Sequence, residues 1–359
     1  MIRLKEFDNI RGIAIIAVIM IHIGAGILLV EPSTHTLKVP MSTFFVYHQL
    51  TGFAVSAFIT CSGILLCMRY KDKQFNYLNF VGSRSLILIP YVIWSLIYLE
   101  YTGKLAGISK ADLFTALGNG SAYWHLYFIP LVYCLYLLFP LFRFVVRKIK
   151  TPWWLVLALV LQHYFQIRLQ NAVSKEVLDF FQVRFFLFLF LAGCYIGQYY
   201  DEFKVFINKY INAIIGLLGT VLLFKICVFY YTALVLKKTV TEIPQTVTFE
   251  NKLYTLCIIV LFIYLAPHLK SSLLGRFGAN SFGIYLSHPL ILKILYAFFK
   301  ELNLINLRSE GAFAVLVITL FASYLLTEGL NRVPLGYLLI GRNDRPINIP
   351  FPAQKSASG

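Results

Sequence analysis

Charge is what this sequence has least of. Asp, Glu, Lys and Arg make up 13% of its 359 residues, against roughly a quarter in soluble domains. Acidic side chains are scarcest, 16 against 32 Lys and Arg, which leaves a formal charge of +16. Apolar residues reach 59% and mean hydropathy +0.73. So few polar side chains cannot clothe a water-exposed surface, and soluble globular and disordered classes are excluded. The six cysteines all fall inside apolar runs and form no Cys-x-x-Cys pair. That excludes a disulfide framework or thiolate metal centre and predicts neither a metal nor a bound cofactor. The basic residues are scattered in short stretches between apolar runs, with no basic domain, so nucleic acid is not the partner they imply. They suit a membrane: they set topology and attract anionic lipid headgroups.

Long apolar runs are what the chain does have. A membrane-crossing helix needs about 20 mostly apolar residues, and the sequence predicts about ten: 8–30, 44–68, 83–102, 123–146, 152–169, 182–200, 210–236, 252–269, 281–299 and 312–340. The expected fold is therefore all-α, a polytopic helix bundle. An even count puts both termini on one side. Segments on that side hold 18 Lys and Arg, the opposite loops 11, which predicts cytoplasmic termini. The apolar run from Gly12 to Val30 is too long for a signal-peptide core and carries no convincing cleavage site, so it reads as a retained first span. The longest expected outer loops are 31–43, 103–122 and 237–251, and 341–359 reads as a cytoplasmic tail. Residues 1–340 then form one transmembrane domain, and any chemistry lies within the bundle.

Ionisable residues inside such spans are costly and mark functional positions. Arg11 and His22 are eleven residues apart in the first span, which at 3.6 residues per turn leaves them within about 20° of one direction and about 16 Å apart along the axis. One helix face thus carries a cation near the cytoplasmic mouth and an imidazole past the midplane. Each residue alone also fits a bland role, a snorkelling anchor or a satisfied core histidine. Together they fit phosphate binding by the arginine and proton or acyl transfer at the imidazole. Gly12, beside Arg11, would let a neighbouring helix come close. His288 precedes Pro289 and shares a face with Tyr285; the proline would kink the helix and free carbonyls, shaping a cavity or merely a polar kink. Glu328 is a lone carboxylate in the last span that wants a cation, Arg11 or Arg84. Arg84 reads equally as a positive-inside anchor. Trp124 and His125 lie at the outer interface, where an aromatic belt is the simpler reading and a sugar contact the sharper one.

These stretches carry a resemblance. Phe7-Asp-Asn-Ile-Arg11-Gly-Ile-Ala14, with His22 after ten intervening residues, resembles the opening of the acyltransferase 3 family of integral-membrane acyltransferases. Arg84 to Tyr91, Trp124 to Pro140 and the Ser-Phe-x-Ile-Tyr-Leu-x-His-Pro of 281–289 agree in order. Within the family the chain looks most like the standalone members that accompany exopolysaccharide clusters. The resemblance implies a bacterial plasma-membrane enzyme that moves an acetyl or succinyl group from cytoplasmic acyl-CoA (acetyl-CoA or succinyl-CoA) to hydroxyls of a surface polysaccharide or lipid-linked glycan. It implies Arg11 and His22 as the essential pair, with Glu328 in support and Arg84 joining Arg11 on acyl-CoA. Trp124, His125, Tyr285 and His288 would line the glycan side. One departure is that positions 81 and 87, where many relatives have a second arginine, hold Val81 and Ile87. No hydrolase-type domain follows the last span, so acyl delivery is expected to be direct or through a separate partner.

Two other function classes fit the same composition. An exporter or flippase of nascent exopolysaccharide needs a polar path through the bundle but no imidazole in line with a phosphate-binding cation. A membrane scaffold for a polysaccharide synthase predicts tolerance at His22. The Arg11 and His22 arrangement favours the transferase.

Overall fold

The computed structural model describes residues 5–30, 49–172, 182–231, 235, 248–269, 272–301 and 309–341. Among them there are helices and turns and no strand. The longer helices are α1 (Lys5–Val30), α2 (Ala54–Tyr70), α3 (Tyr77–Ser85), α4 (Leu88–Tyr101), α5 (Lys110–Asn119), α6 (Phe128–Lys148) and α7 (Trp154–Ala172). They continue with α8 (Leu187–Gln198), α9 (Tyr200–Tyr230), α10 (Phe249–Leu265), α11 (Ser272–Ala279), α12 (Ser281–Glu301), α13 (Ser309–Arg332) and the short α14 (Tyr337–Ile340).

Among the described residues, six helical stretches are long and apolar enough to cross a membrane: Gln49–Tyr70, Tyr77–Tyr101, Phe128–Lys148, Tyr200–Val228, Ser281–Phe299 and Gly311–Arg332. The other expected spans fall on α1, α7, α8 and α10. Of these α8 has only 12 residues, about 18 Å of helix against a hydrocarbon core of about 30 Å. The outward face of the bundle carries many large apolar side chains, among them Leu157 58%, Leu223 62% and Leu325 63% exposed. Lipid is the environment that leaves such a face at low cost.

Two segments differ from the sequence expectation. Residues 110–119, expected as loop, form α5, because Ser109 caps it by accepting from the Asp112 amide at 3.1 Å and Gly120 ends it in a left-handed conformation at φ 77°. The expected span 123–146 begins only at Phe128, since residues 123–127 are a run of tight turns, with the Leu126 amide bonded to the Tyr123 carbonyl at 2.9 Å. Those turns present Trp124 and His125 at the end of the bundle rather than along a helix. The expected loop 31–43, most of 237–251 and the tail beyond Gly341 lie outside the described residues.

Close helix contacts rest on glycine. A Cβ at Gly12 would sit 2.2 Å from the Leu274 carbonyl oxygen, so α11 lies directly on α1. Likewise α2 and α8 meet where a Cβ on Gly193 would sit 2.3 Å from the Thr60 carbonyl oxygen. In lipid, where apolar side chains gain little by association, such backbone proximity supplies the packing. The core divides into one cluster around α1, α4 and α12 and a second around α2, α6 and α8.

Candidate functional site: a histidine pair in the bundle

His22 lies in the later half of α1, and His288 lies on α12, 0% exposed. Their rings meet: His22 Nδ1 is 2.7 Å from His288 Nε2. The second nitrogen of His288, Nδ1, is 3.0 Å from the carbonyl oxygen of Ile284, one turn earlier in the same helix. Chain separation of 266 residues is closed by the packing of α1 on α12.

Pro289 sits inside α12 and has no N–H to continue the ladder. At this irregularity the Tyr98 hydroxyl enters the helix. It accepts from the Leu290 amide at 3.2 Å and donates to the Leu286 carbonyl at 2.8 Å, the pair that an unbroken α-helix joins directly. The neighbouring Tyr285 hydroxyl donates to the backbone carbonyl of His125. Two tyrosine hydroxyls therefore hold the turn that carries His288.

An aromatic wall surrounds the pair. The Trp124 indole stands edge-on to His22 with centroids 4.2 Å apart, and Tyr98 stacks on Tyr123 at 4.3 Å. His125, 1% exposed, packs among Tyr98, Tyr285 and His288 at 5.2, 5.2 and 5.7 Å. Neither His125 ring nitrogen has a hydrogen-bond partner among the described residues. No group of three or more potential ligands fit to hold a metal occurs among them. Trp124 is half exposed and lines a cavity of about 560 Å³ with Thr102, Lys104, Asn119, Ser121 and Tyr127. Its volume, polar rim and aromatic floor suit a small polar ligand such as a sugar ring. Of the four residues expected on the glycan side, Trp124 lines this cavity, whereas His125, Tyr285 and His288 are buried.

The remaining candidates lie elsewhere in the bundle. Because α1 is continuous, Arg11 is about 16 Å before His22 along the axis; its guanidinium is 3.7 Å from Asp8. Arg84, on α3, lies over the rings of Phe80 and Tyr136, each at 5.6 Å. Glu328 accepts from Asn280 Nδ2 at 2.9 Å, and Asn331 in turn donates to Asn280 Oδ1 at 3.0 Å. Tyr324 lies beside Glu328 and Arg276. The partner of the carboxylate is thus an amide, not the arginine that sequence reasoning named. Asn280→Ala is expected to unhook Glu328 from the junction of α11 and α12 and to destabilise the protein by about 1.5–3 kcal/mol, read as a lower unfolding temperature in detergent; an unchanged transition would show the bond to be dispensable.

Sequence reasoning missed Tyr98, Asn280 and Arg276. Asn280 had one available signal, its place directly before the 281–289 stretch. Tyr98 had none, because its contacts to α12 span 188 and 192 residues of chain.

Comparison with known proteins adds two findings. The model of an acyltransferase domain family matches residues 4–328. Among curated proteins, the chain is similar to one from Staphylococcus aureus (strain MRSA252) named as a probable poly-beta-1,6-N-acetyl-D-glucosamine export protein. Identity is 23% over 367 residues, covering 96% of this chain and 97% of that one. A Staphylococcus epidermidis protein of the same name is 26% identical over 316 residues, 82% of each chain. No solved structure gives a significant match.

Proposed function

The chain belongs to the acyltransferase 3 family and is a multi-pass bacterial membrane protein, and from that premise we propose that it transfers an acetyl or succinyl group from acyl-CoA to a hydroxyl of a surface polysaccharide or lipid-linked glycan. The observation that carries this reading is the His22 and His288 pair with Trp124 between it and a sugar-sized cavity. An imidazole at that place has the reach and chemistry of a general base.

Acyl-CoA enters from the Lys5 end of α1, which the Lys and Arg distribution assigns to the cytoplasm. Arg11 takes a phosphate there. The distance of about 16 Å from Arg11 to His22 is comparable with an extended pantetheine arm, which puts the thioester at the imidazole. The acceptor arrives from the cavity over Trp124, whose ring faces suit the apolar face of a pyranose. His22 Nε2 takes the hydroxyl proton as the hydroxyl oxygen attacks the thioester carbonyl. The new C–O bond forms, the C–S bond breaks, and the proton passes to the departing thiolate, giving the ester and free CoA. Glu328, with Asn280, supports the cytoplasmic half, and Arg84 is a further phosphate contact on that side. A polysaccharide synthase would deliver the acceptor.

The relatives' printed name favours a second reading, export of the polysaccharide itself. One experiment separates the two. Surface polysaccharide from cells with and without the chain is analysed for ester per sugar and for total amount exported. Ester that falls at constant export supports transfer; export that falls at constant ester per sugar replaces this reading with a conduit. Within the transferase reading, Trp124→Ala is expected to raise the KM for acceptor about tenfold, the order of a lost sugar-stacking contact, with the KM for acyl-CoA unchanged. Equal effects on both substrates would remove Trp124 from the acceptor side.

A further inference from the structure

We infer that His288 is a positioning residue that holds His22 in one tautomer, with the Ile284 carbonyl as the fixed end of a relay. The inference rests on the transferase reading of His22 and extends it to the residues that make the imidazole a base.

A carbonyl oxygen can only accept. The 3.0 Å contact to Ile284 therefore places the proton of neutral His288 on Nδ1 and leaves Nε2 as a lone pair. That lone pair faces His22 Nδ1 at 2.7 Å, so His22 Nδ1 is the donor. His22 Nε2 is then the unprotonated nitrogen, and it has no hydrogen-bond partner among the described residues. A backbone atom, which has one chemical state, has set the state of the reactive atom two rings away.

The ring geometry supports a directional bond rather than a stack. The planes are 5° apart and the centroids 4.9 Å, which exceeds the nitrogen–nitrogen distance by about the diameter of an imidazole. Such rings lie end to end in a common plane, as a linear hydrogen bond requires. When His22 Nε2 takes a proton, the Nδ1–H to His288 remains in place and helps carry the positive charge, with no group needing to turn. His288 is held for this task from both directions along α12. Its own Nδ1 is tied to Ile284, and the Tyr98 hydroxyl occupies the break after Pro289. Without His288, His22 would be free to adopt either tautomer and to rotate.

The test uses membranes holding the full-length chain, acetyl-CoA as donor probe and the cells' own exported polysaccharide as acceptor. A glutamine at 288 can put its terminal amide where Nε2 stands; an asparagine, shorter by one methylene, cannot; a leucine offers no acceptor. His288→Leu is expected to lower kcat by at least about 10²-fold, within the roughly 10⁴-fold that a wrong tautomer costs a catalytic histidine, with the KM for acetyl-CoA within about twofold of wild type. His288→Gln is expected to regain about tenfold of that loss, and His288→Asn none of it. The relay is overturned if His288→Leu keeps kcat within about threefold of wild type, or if Gln and Asn perform alike at equal protein level. If leucine prevents folding, the Gln and Asn comparison still decides. His22→Ala separates the two ideas: inactive His22→Ala beside active His288→Leu ends the relay alone, whereas active His22→Ala ends the transferase reading itself.

Discussion

Replacing His22 by alanine is expected to leave the surface polysaccharide with under about 1% of its ester while the chain stays in the membrane at its normal level. General-base catalysis contributes roughly 10²–10⁴-fold, and the imidazoles that remain, His288 and His125, are both buried and neither lines the cavity beside Trp124. The substitution is mild on the fold. Alanine favours helix, α1 is anchored by Phe7, Ile10, Ile15 and Ile19, each 0–1% exposed, and the lost partner leaves one ring nitrogen of His288 unpaired at a cost of about 1–3 kcal/mol. Ester analysis and immunoblotting of membranes from matched cultures check both halves. Wild-type ester content in this variant would end the mechanism, and lost export with unchanged ester per sugar would make Arg11 and His22 part of a conduit lining.

Gly193→Leu is expected to be the most damaging substitution outside the site. A Cβ there meets the backbone oxygen of Thr60 at 2.3 Å, and the facing Gly63 would meet the Phe190 carbonyl oxygen at 2.4 Å. Neither obstacle is a side chain that can swing away, so α2 and α8 must separate. Separation opens the cluster formed by Ile59, Cys67, Leu189, Phe190 and Cys194, all buried to 1% or less. Overpacking typically costs about 1–3 kcal/mol, and a backbone obstacle on each side puts this substitution at the upper end. Loss of the monodisperse peak in detergent chromatography, or a fall of several degrees in unfolding temperature, is the readout. Gly216→Leu on α9 is the matched control: nothing lies within 4 Å of its added Cβ, and it is expected to behave as wild type. Equal stability of the two variants would show that the α2 and α8 contact does not hold the bundle.

Much of this was legible before any coordinates. Composition decided the class of protein, because a chain with 13% charged residues has no way to face water on all sides. Helical periodicity alone put Arg11 and His22 on one face, since α1 is regular from Lys5 to Val30. The glycine beside Arg11 announced a close approach, and α11 makes it. Local signals were less reliable where turns and caps compete with hydropathy: the Ser109 cap made a helix of an expected loop, and the turns from Tyr123 to Tyr127 delayed the start of α6.

The sequence by itself determined a helical membrane protein with a cation and an imidazole in line, because apolar content and helix geometry act over neighbouring residues. Only the tertiary structure decided what that imidazole meets. His288, Trp124 and Tyr98 reach the site from three other parts of the chain, and Glu328 finds Asn280 instead of an arginine. Hydrogen bonds and ring contacts of this kind depend on distances of a few ångströms between segments separated by tens to hundreds of residues, and no periodicity within one segment encodes them.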